Sequence, residues 1–484
     1  MAPTHCSNHP GRLVRAVLFS GVLAIPAAVL GQAPVIPGQV STSAQNPVFG
    51  SVPEATPTPG VLSLTFRDAI ERALRQNLAG LLSEYNTIEA RGEKWRKLSE
   101  LLPNVSGDVQ EVAQKQSLEA LGLRGALFPG GPSLPRVVGP FSSFDVRASG
   151  TLRVFDWNAI QKYRSSAVAE GVARYNLKDA RDLVVLATGN AYLQAIAGAA
   201  RAETAQAQVE TAKALYDKAV AQQQAGVAPA IDTLRAQVEY QSRKQQLIAA
   251  TNDFAKQKIT LARVIGLAPA QDFTLAEKAP YEPFPVPDYE TSVQRAYSMR
   301  SDYKAASERL RAAQLERNAA TAGYFPTLNL AADYGDIGAV PGSLLPTYHV
   351  FGTLNVPIFQ GGKVHGDVLK AEAGLRQAQA QLADVRALID QDIRNALLDL
   401  KSSADQVEVA QSSVNLAEQA LTQSRDRFTA GVTDNLEVVQ AQEAVTAAHE
   451  SLISSLYLHN LAKVSFARAL GHAEEGVLEY LQRK

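Results

Sequence analysis

The chain has 484 residues, with 47 basic and 48 acidic side chains and a formal net charge of −1. This balance gives no electrostatic basis for binding nucleic acid or an anionic membrane surface. The single cysteine, Cys6, excludes an intrachain disulfide framework. A chain of this length ordinarily divides into several domains. Length is only a rough guide, so we infer the architecture from the order of the predicted helices and strands.

The N-terminus has the pattern of a secretory signal peptide. Two arginines precede an uncharged apolar run from Ala16 to Leu30, and small residues follow it. Because this run is short and interrupted by Pro26, a cleaved signal is favoured over a membrane anchor. We therefore assign residues 1–32 to the signal and residues 33–60 to a Pro-rich leader. Cys6 would leave with the signal, so the mature chain would have no thiol and no cysteine for a lipid anchor.

The first half of the mature chain, residues 61–266, opens with helical periodicity and then changes to strand periodicity. Apolar residues recur at helical spacing after Thr65, a suitable N-cap, and the pattern continues to about Leu101. Beyond it the period becomes two, weakly from Asn104 to Val112 and strongly from Phe144 to Phe155. We predict one helix and then two strands of about ten residues, joined by a long irregular loop.

A very long helix and a shorter return helix complete this half. No proline interrupts Ala159 to Ala225, which at 1.5 Å per residue would form a helix about 100 Å long. The first turn, AGVAPAID from Ala225 to Asp232, contains Gly226, a residue suited to ending a helix. A return helix is predicted from Ile231 to Ile265.

The same order of elements recurs 205 residues later, so the sequence predicts an internal duplication. The first turn corresponds to AGVTDNLE, Ala430 to Glu437, which we call the second turn. The second half spans residues 289–471. A Pro-rich connection, residues 267–288, is expected to lie at mid-height as an irregular belt, and residues 472–484 are a short C-terminal tail.

The second half repeats the first element by element. Its predicted opening helix, two strands, long helix and return helix are Tyr289 to Ala322, Leu328 to Tyr334, Tyr348 to Val356, Lys363 to Ala430 and Asn435 to Leu470. On both sides of the second turn, residues recur at spacings of three and four, which predicts a narrow coiled-coil seam. They are Val407, Ala410, Val414, Ala417, Leu421, Ser424 and Phe428 before the turn and Val438, Ala441, Val445, Ala448, Leu452 and Ser455 after it.

The predicted strands are typical of outer-membrane strands. Each is long enough to cross a bilayer when tilted, with one apolar face and aromatic residues near its ends. No apolar run after the signal is long enough for a membrane helix, so a membrane location would require β-strands. Four strands cannot close a barrel, whereas three chains would supply twelve. Two soluble hairpins with one buried face would alternate equally well, and that alternative stays open at this point.

In their order, these residues resemble the TolC-like outer-membrane efflux proteins. The resemblance rests on LTFRDAIERALRQNL, FDWN, FQGG, the two AGV turns and RALG, in that duplicated arrangement. It implies a mainly α fold with a small β part: an internally duplicated α-helical barrel protomer that contributes four strands to a trimeric 12-stranded outer-membrane β-barrel. It implies a passive exit duct of a tripartite efflux or type I secretion system, for small molecules or polypeptides. The implied partners are a periplasmic adaptor protein, an inner-membrane transporter and outer-membrane lipid, with a long periplasmic extension of the channel.

The resemblance places the functional sites at the two turns, where the adaptor would bind and the aperture would close. The glycines of the turns are Gly226 and Gly431, and Asp232 is the acidic residue of the first turn. Four positions correspond to a Tyr, an Arg and two Asp that hold the TolC aperture shut: Phe428, Thr433, Glu437 and Gln440. Phe428 lacks the hydroxyl and Thr433 cannot form the ion pair, so the same gating network is not expected. A ring of Glu437 carboxylates would favour cations, and a solvated surface glutamate is an equally good interpretation of this residue.

No catalytic, cofactor-binding or metal-binding motif in the sequence is complete. Gly361 to Lys363 lacks the hydroxyl residue and the upstream glycine of a phosphate loop, and the HExxH pattern that begins at His449 has Ile453 in place of the second histidine. We therefore predict a conduit without enzymatic activity, cofactor or nucleic-acid partner. The alternative function is a secreted or periplasmic coiled-coil spacer or adhesin without a channel. A dedicated metal-ion exporter is disfavoured because the sequence has no Met or His clusters.

Overall fold

The structure is a computed structural model that describes residues 46–53, 60–123, 133–227, 229–277, 281–433 and 435–481. All of them belong to one unit, Thr42–Lys484. The predicted signal peptide and most of the predicted leader lie outside the described residues.

The two halves contain the same elements in the same order. The first half has β1 (Leu62–Leu64), α1 (Phe66–Gln76), α2 (Leu78–Ser99), β2 (Asn104–Ser117), β3 (Val137–Phe155), α3 (Trp157–Gln224) and α4 (Ala230–Ile265). The second has β4 (Phe273–Leu275), α5 (Tyr289–Met299), α6 (Ser301–Thr321), β5 (Thr327–Gly338), β6 (Leu345–Asn355), α7 (Lys363–Thr429) and α8 (Asn435–Ala469), and α9 (Ala473–Leu481) follows. The long helices have 68 and 67 residues and the return helices 36 and 35. We call α3 with α4 the first hairpin and α7 with α8 the second hairpin.

The coiled-coil seam of the second hairpin packs as its spacing predicted. Val407, Val414 and Val438 are 2%, 4% and 0% exposed, whereas Val409, between the seam positions, is 66% exposed. A narrow buried stripe leaves most of each helix surface polar and accessible.

Each opening helix is interrupted once, which corrects the prediction of single helices up to Leu101 and Ala322. Asn77 and Arg300 leave the helical backbone conformation, with ψ of 135° and 124°. The Asn77 side chain accepts a hydrogen bond from the Ala79 amide at 3.0 Å and so caps α2. The same side chain donates to the carbonyl of Val48, in the leader, at 2.7 Å. The break therefore depends on a partner distant in sequence, which local periodicity does not reveal.

Four other elements differ from their predictions. β2 and β3 have 14 and 19 residues rather than about ten, and their added residues pair as far as Ser117 with Val137. The expected irregular belt contains β4, which pairs in parallel with β1. The expected C-terminal tail contains α9. The part of β2 beyond Val112 was not predicted, because polar side chains such as Gln114 and Gln116 interrupt the alternation of apolar and polar residues there.

The four longer strands form one antiparallel sheet in the order β2-β3-β5-β6. In register, Ser149 lies opposite Asp333 and Asp333 opposite His349, so polar residues of three strands share one face. The other face carries the apolar alternation that the sequence predicted, from Val105 and Val109 to Val350 and Leu354. Within the described residues, β2 and β6 each have one edge without a strand partner.

Two apolar cores join the helices near the interrupted opening helices. One contains Phe66, Tyr192, Leu261 and Phe273, and the Tyr192 hydroxyl donates to the carbonyl of Leu64 at 3.1 Å. The other joins α5, α7 and α8 around Ile389, Ile393 and Phe466.

One helix contradicts the expectation that no run after the signal is apolar enough to cross a membrane. A window of 18 residues within α3 has the composition of a membrane span. Of that window, 61% is buried inside the chain. Its composition is therefore explained by packing in the first core.

Candidate functional site at the helical turns

Both long helices end in the same backbone arrangement. Gly226 and Gly431 have φ of +72° and +71°, a conformation that residues with a Cβ rarely adopt. In the first turn the Gly226 amide donates to Gln223 O and the Val227 amide to Gln222 O, both at 3.0 Å. The second turn has the same pair of bonds. This Schellman arrangement satisfies the last carbonyls of the helix and reverses the chain.

The second turn is closed by the side chain of Glu437. One carboxylate oxygen accepts from Thr433 Oγ1 at 2.5 Å, and the other accepts from Arg427 Nη1 at 2.9 Å and Ser424 Oγ at 3.4 Å. The structure thus brings Thr433 and Glu437 together and supplies a cation from Arg427. Sequence reasoning missed Arg427, although a basic residue in the last turn of a helix is a recognisable signal.

The first turn is held more loosely by its equivalent acidic residue. Asp232 corresponds to Glu437, but its carboxylate lies 3.7 Å from the nearest guanidinium nitrogen, on Arg235. The Asp232 amide donates to Pro229 O at 3.1 Å, and Thr233 Oγ1 donates to Ala219 O at 3.3 Å. Backbone contacts therefore contribute more to this turn than its carboxylate does.

Phe428 lies where the two hairpins meet, and Gln440 does not join this cluster. Lys218 of α3 donates to Thr429 Oγ1 at 3.1 Å, and its ammonium lies 5.7 Å from the centre of the Phe428 ring. The Phe428 ring thus contacts a cation of the first hairpin. Gln440 is exposed, and its side chain makes no hydrogen bond within the described ranges.

A second polar cluster lies on the polar face of the sheet, and sequence reasoning did not single it out. Arg147 of β3 pairs with Asp333 of β5, contacts Asp145 Oδ2 at 3.3 Å and donates to Thr347 Oγ1 at 3.1 Å. His349 Nδ1 of β6 lies 3.0 Å from Asp333 Oδ1. The cluster joins three strands on one face, and alternation alone predicted only that this face would be polar.

A buried charge network lies at the break between α5 and α6. Arg300 is 2% exposed and pairs with Asp302 at 2.6 Å and Asp392 at 2.7 Å. Burial opposes ionisation of Asp302, but the hydrogen bonds and charge of Arg300 outweigh it and lower the pKa of this carboxyl below its ordinary value. Nearby, burial raises the pKa of Asp179 despite its contact with Arg468. In the part of the chain that the structure describes, no group of three or more His, Cys, Asp or Glu side chains is placed to hold a metal ion.

Comparison with known proteins identifies the family. The model of the outer membrane efflux protein family matches residues 101–267 and 292–472, well over half of the chain. The chain belongs to the outer membrane efflux protein family. The first matched region begins just after α2 and ends just after α4, and the second begins within α5 and ends just after α8. The two matched regions therefore correspond to the two halves of the duplicated chain.

Relatives and solved structures agree with this assignment. The pyoverdine export outer membrane protein OpmQ of Pseudomonas aeruginosa is 25% identical over 348 residues, covering 71% of this chain and 73% of OpmQ. A crystal structure of a membrane protein from Pseudomonas aeruginosa has a TM-score of 0.73 and 19% identity, and covers 87% of this chain and 95% of that one. The CmeC outer membrane channel of Campylobacter jejuni also has a TM-score of 0.73, with 18% identity, and covers 84% and 86%.

Family membership decides between the functions that the sequence left open. The efflux protein has the predicted mainly α fold with a small β part, and it is an outer-membrane channel for efflux or secretion. The spacer or adhesin alternative is set aside. The family consists of channel proteins rather than enzymes. The roles of individual turn residues stay predictions.

Proposed function

We propose that three copies of this efflux protein form one export duct, with the pooled strands in the outer membrane and the turns in the periplasm. The observation that carries the proposal is the sheet. It has one apolar face, one polar face and, among the described strands, two edges without a partner. An unpaired edge is not tolerated in lipid, so β2 of one copy would pair with β6 of the next. Three copies would close twelve strands around the polar face.

The helical part would continue the duct into the periplasm. α3 and α7 are each about 100 Å long, and the interrupted helix pairs and return helices match that length when placed end to end. The polar cluster around Arg147 and Asp333 would line the exit. Transport through such a duct requires no chemistry from the protein, so we propose no catalytic role and no cofactor.

We further propose that the turns receive a periplasmic adaptor protein, which links the duct to an inner-membrane transporter. Two features support this. The turns expose apolar side chains, with Val227 and Val432 at 74% and 69% exposure. The two hairpins are also held side by side at this end through Lys218 and Thr429, so both turns would be presented together.

Cross-linking in cells tests the docking of the adaptor. The predicted mature chain has no cysteine, so a cysteine at Gln440 can carry a thiol-reactive photo-cross-linker without further substitution. A cysteine at Lys370, exposed on α7 near the sheet, is the matched control. We expect a periplasmic adaptor, identified by mass spectrometry, from the Gln440 position and not from Lys370. Equal capture at both positions, or none at Gln440, would contradict docking at the turns.

A further inference from the structure

A partly open cavity of about 220 Å³ lies between the two hairpins, above the turns. All four helices of the hairpins line it, with polar side chains that include Gln208 of α3, Arg243 of α4, Glu418 and Arg425 of α7, and Gln442 and His449 of α8. At 1.5 Å per residue, Arg425 and Glu418 lie about 8 and 18 Å from Ala430 along α7. One water needs only ~15 Å³ of such space, so the cavity has room for a larger occupant.

The end of the cavity near the turns carries hydrogen-bonding groups without partners. Arg425 Nε and Gln442 Oε1 are buried and make no hydrogen bond within the described residues, and Gln442 as a whole is only 7% exposed. Buried polar groups are ordinarily paired, and an unpaired one is costly. Rotation of the Gln442 amide by 180° would point its NH2 donors to the same place.

A second guanidinium, that of Arg243, also lines this cavity, although the carboxylate of Glu239 offsets its charge. Arg243 is 5% exposed, with Nε held by Glu239 at 2.6 Å and Nη1 by Gln246 at 2.9 Å. These bonds fix the orientation of the side chain, and Nη2 has no partner within the described ranges. The carboxylate of the cavity, Glu418, lies two helical turns from Arg425 and is engaged by His449 Nε2 at 3.1 Å. It therefore does not neutralise Arg425.

The corresponding positions of the other half share only part of this polar lining, since Gln442 corresponds to Gln237 but Arg425 to an apolar residue. Leu421, Arg425 and Val445 correspond to Tyr216, Val220 and Tyr240. There the two tyrosine rings stack with their centres 6.1 Å apart. Arg425 is thus particular to the second half, whereas a glutamine stands at the position of Gln442 in both halves.

We propose that this cavity binds a small oxyanion, such as phosphate or a short dicarboxylate, through Arg425, Arg243 and the Gln442 amide. Guanidinium groups suit oxyanions because two parallel N–H donors match two oxygens. Arg243 belongs to the first hairpin and Arg425 to the second, so the bound ion ties the two hairpins together just above the turns. The binding itself does not depend on the proposed duct.

Isothermal titration of the full processed protein in detergent tests the site, with sodium phosphate and sodium succinate as probes and sodium chloride at equal ionic strength as reference. We expect Arg425→Gln to weaken binding of the preferred probe by about tenfold or more, since it removes a charged donor. Lys370→Gln, on the same helix but far from the cavity, removes the same charge and should change binding less than twofold.

Gln442→Met separates binding from folding. Methionine fills similar space without an unpaired polar atom, so the thermal midpoint should stay equal or rise while oxyanion binding falls. Tighter binding of phosphate than succinate, or the reverse, identifies the class of oxyanion. The proposal is overturned if neither probe binds the wild type more tightly than chloride does, or if Arg425→Gln binds as the wild type does.

Discussion

The carboxylate of Glu437 accepts hydrogen bonds from Thr433, Arg427 and Ser424 and so joins the end of α7 to the start of α8. In this ion pair the side chain of Arg427 is 56% exposed and that of Glu437 33% exposed. Exposed ion pairs contribute at most about 1 kcal/mol to the free energy of unfolding. The contact therefore governs the order of one turn rather than the stability of the molecule. Because both oxygens of the Glu437 carboxylate accept hydrogen bonds, this group is less available for selecting cations than the sequence alone implied.

Removal of this carboxylate should loosen the second turn. We predict that Glu437→Ala raises the rate of tryptic cleavage after Arg427 several-fold, because local opening of the turn becomes less costly. The matched control is Asp232→Ala at the equivalent position of the first turn, where the carboxylate has only a distant partner. Cleavage after Arg235 should change less than twofold in that variant. Equal effects at the two turns would show that Glu437 does not close its turn.

A second residue-scale prediction concerns Glu170, which is 3% exposed on α3. Lys94, at 2.9 Å, and Arg174, at 2.6 Å, lower the pKa of this carboxyl to about 2. Because the folded pKa lies below the ordinary value of 4.5, folding favours the ionised form. The resulting stabilisation is present above pH 4.5 and is lost as the pH falls from there toward 2.

The measurement is the thermal midpoint of wild type and Glu170→Gln between pH 7 and pH 2.5. We expect the variant to melt lower at pH 7 and the difference to shrink steadily below pH 4.5. A difference of the same size at pH 7 and pH 2.5 would mean that the ion pairs of Glu170 do not stabilise the fold.

At the element scale, the turns depend on glycines in the left-handed region. Gly431 has φ of +71°, and no atom lies within 4 Å of a Cβ built on it. Gly431→Ala should therefore be destabilising by about 1–2 kcal/mol through backbone strain alone. Gly374→Ala is the matched control, since this glycine lies inside α7 with equally open surroundings. There alanine should stabilise by about 0.5–1 kcal/mol.

Amide hydrogen exchange of α7 and its turn measures both effects. Gly431→Ala should lower protection near the turn, and Gly374→Ala should preserve or raise it along the helix. Similar protection near the turn in wild type and Gly431→Ala would contradict the argument from φ.

Sequence reasoning succeeded for elements whose signal is local. Spacings of three and four marked the seam through Val407 and Val414, and period two marked the strand that ends at Phe155. It did not reveal the helix breaks, because Asn77 bonds to Val48 in the leader and Arg300 pairs with Asp392 of α7. At the second turn it singled out Thr433 and Glu437, but not Arg427, because the contact between Arg427 and Glu437 spans ten residues across the turn and has no local spacing pattern.

At the scale of the whole molecule, the sheet is the part that the single chain leaves incomplete. Apolar side chains of its strands such as Val105 and Val350 are 76% and 65% exposed, and within the described residues the outer edges of β2 and β6 have no strand partner. The helices, in contrast, already pack through two apolar cores. The proposed association through the strands would explain why four strands of this pattern accompany so large a helical part, and it would make the oligomer a condition for membrane insertion.

The native mass of the protein extracted from the outer membrane in detergent tests this account most directly. We predict a particle of three processed chains, recovered only from the membrane fraction and only with detergent. A water-soluble monomer or dimer, obtained without detergent, would contradict the pooled barrel and with it the proposed duct.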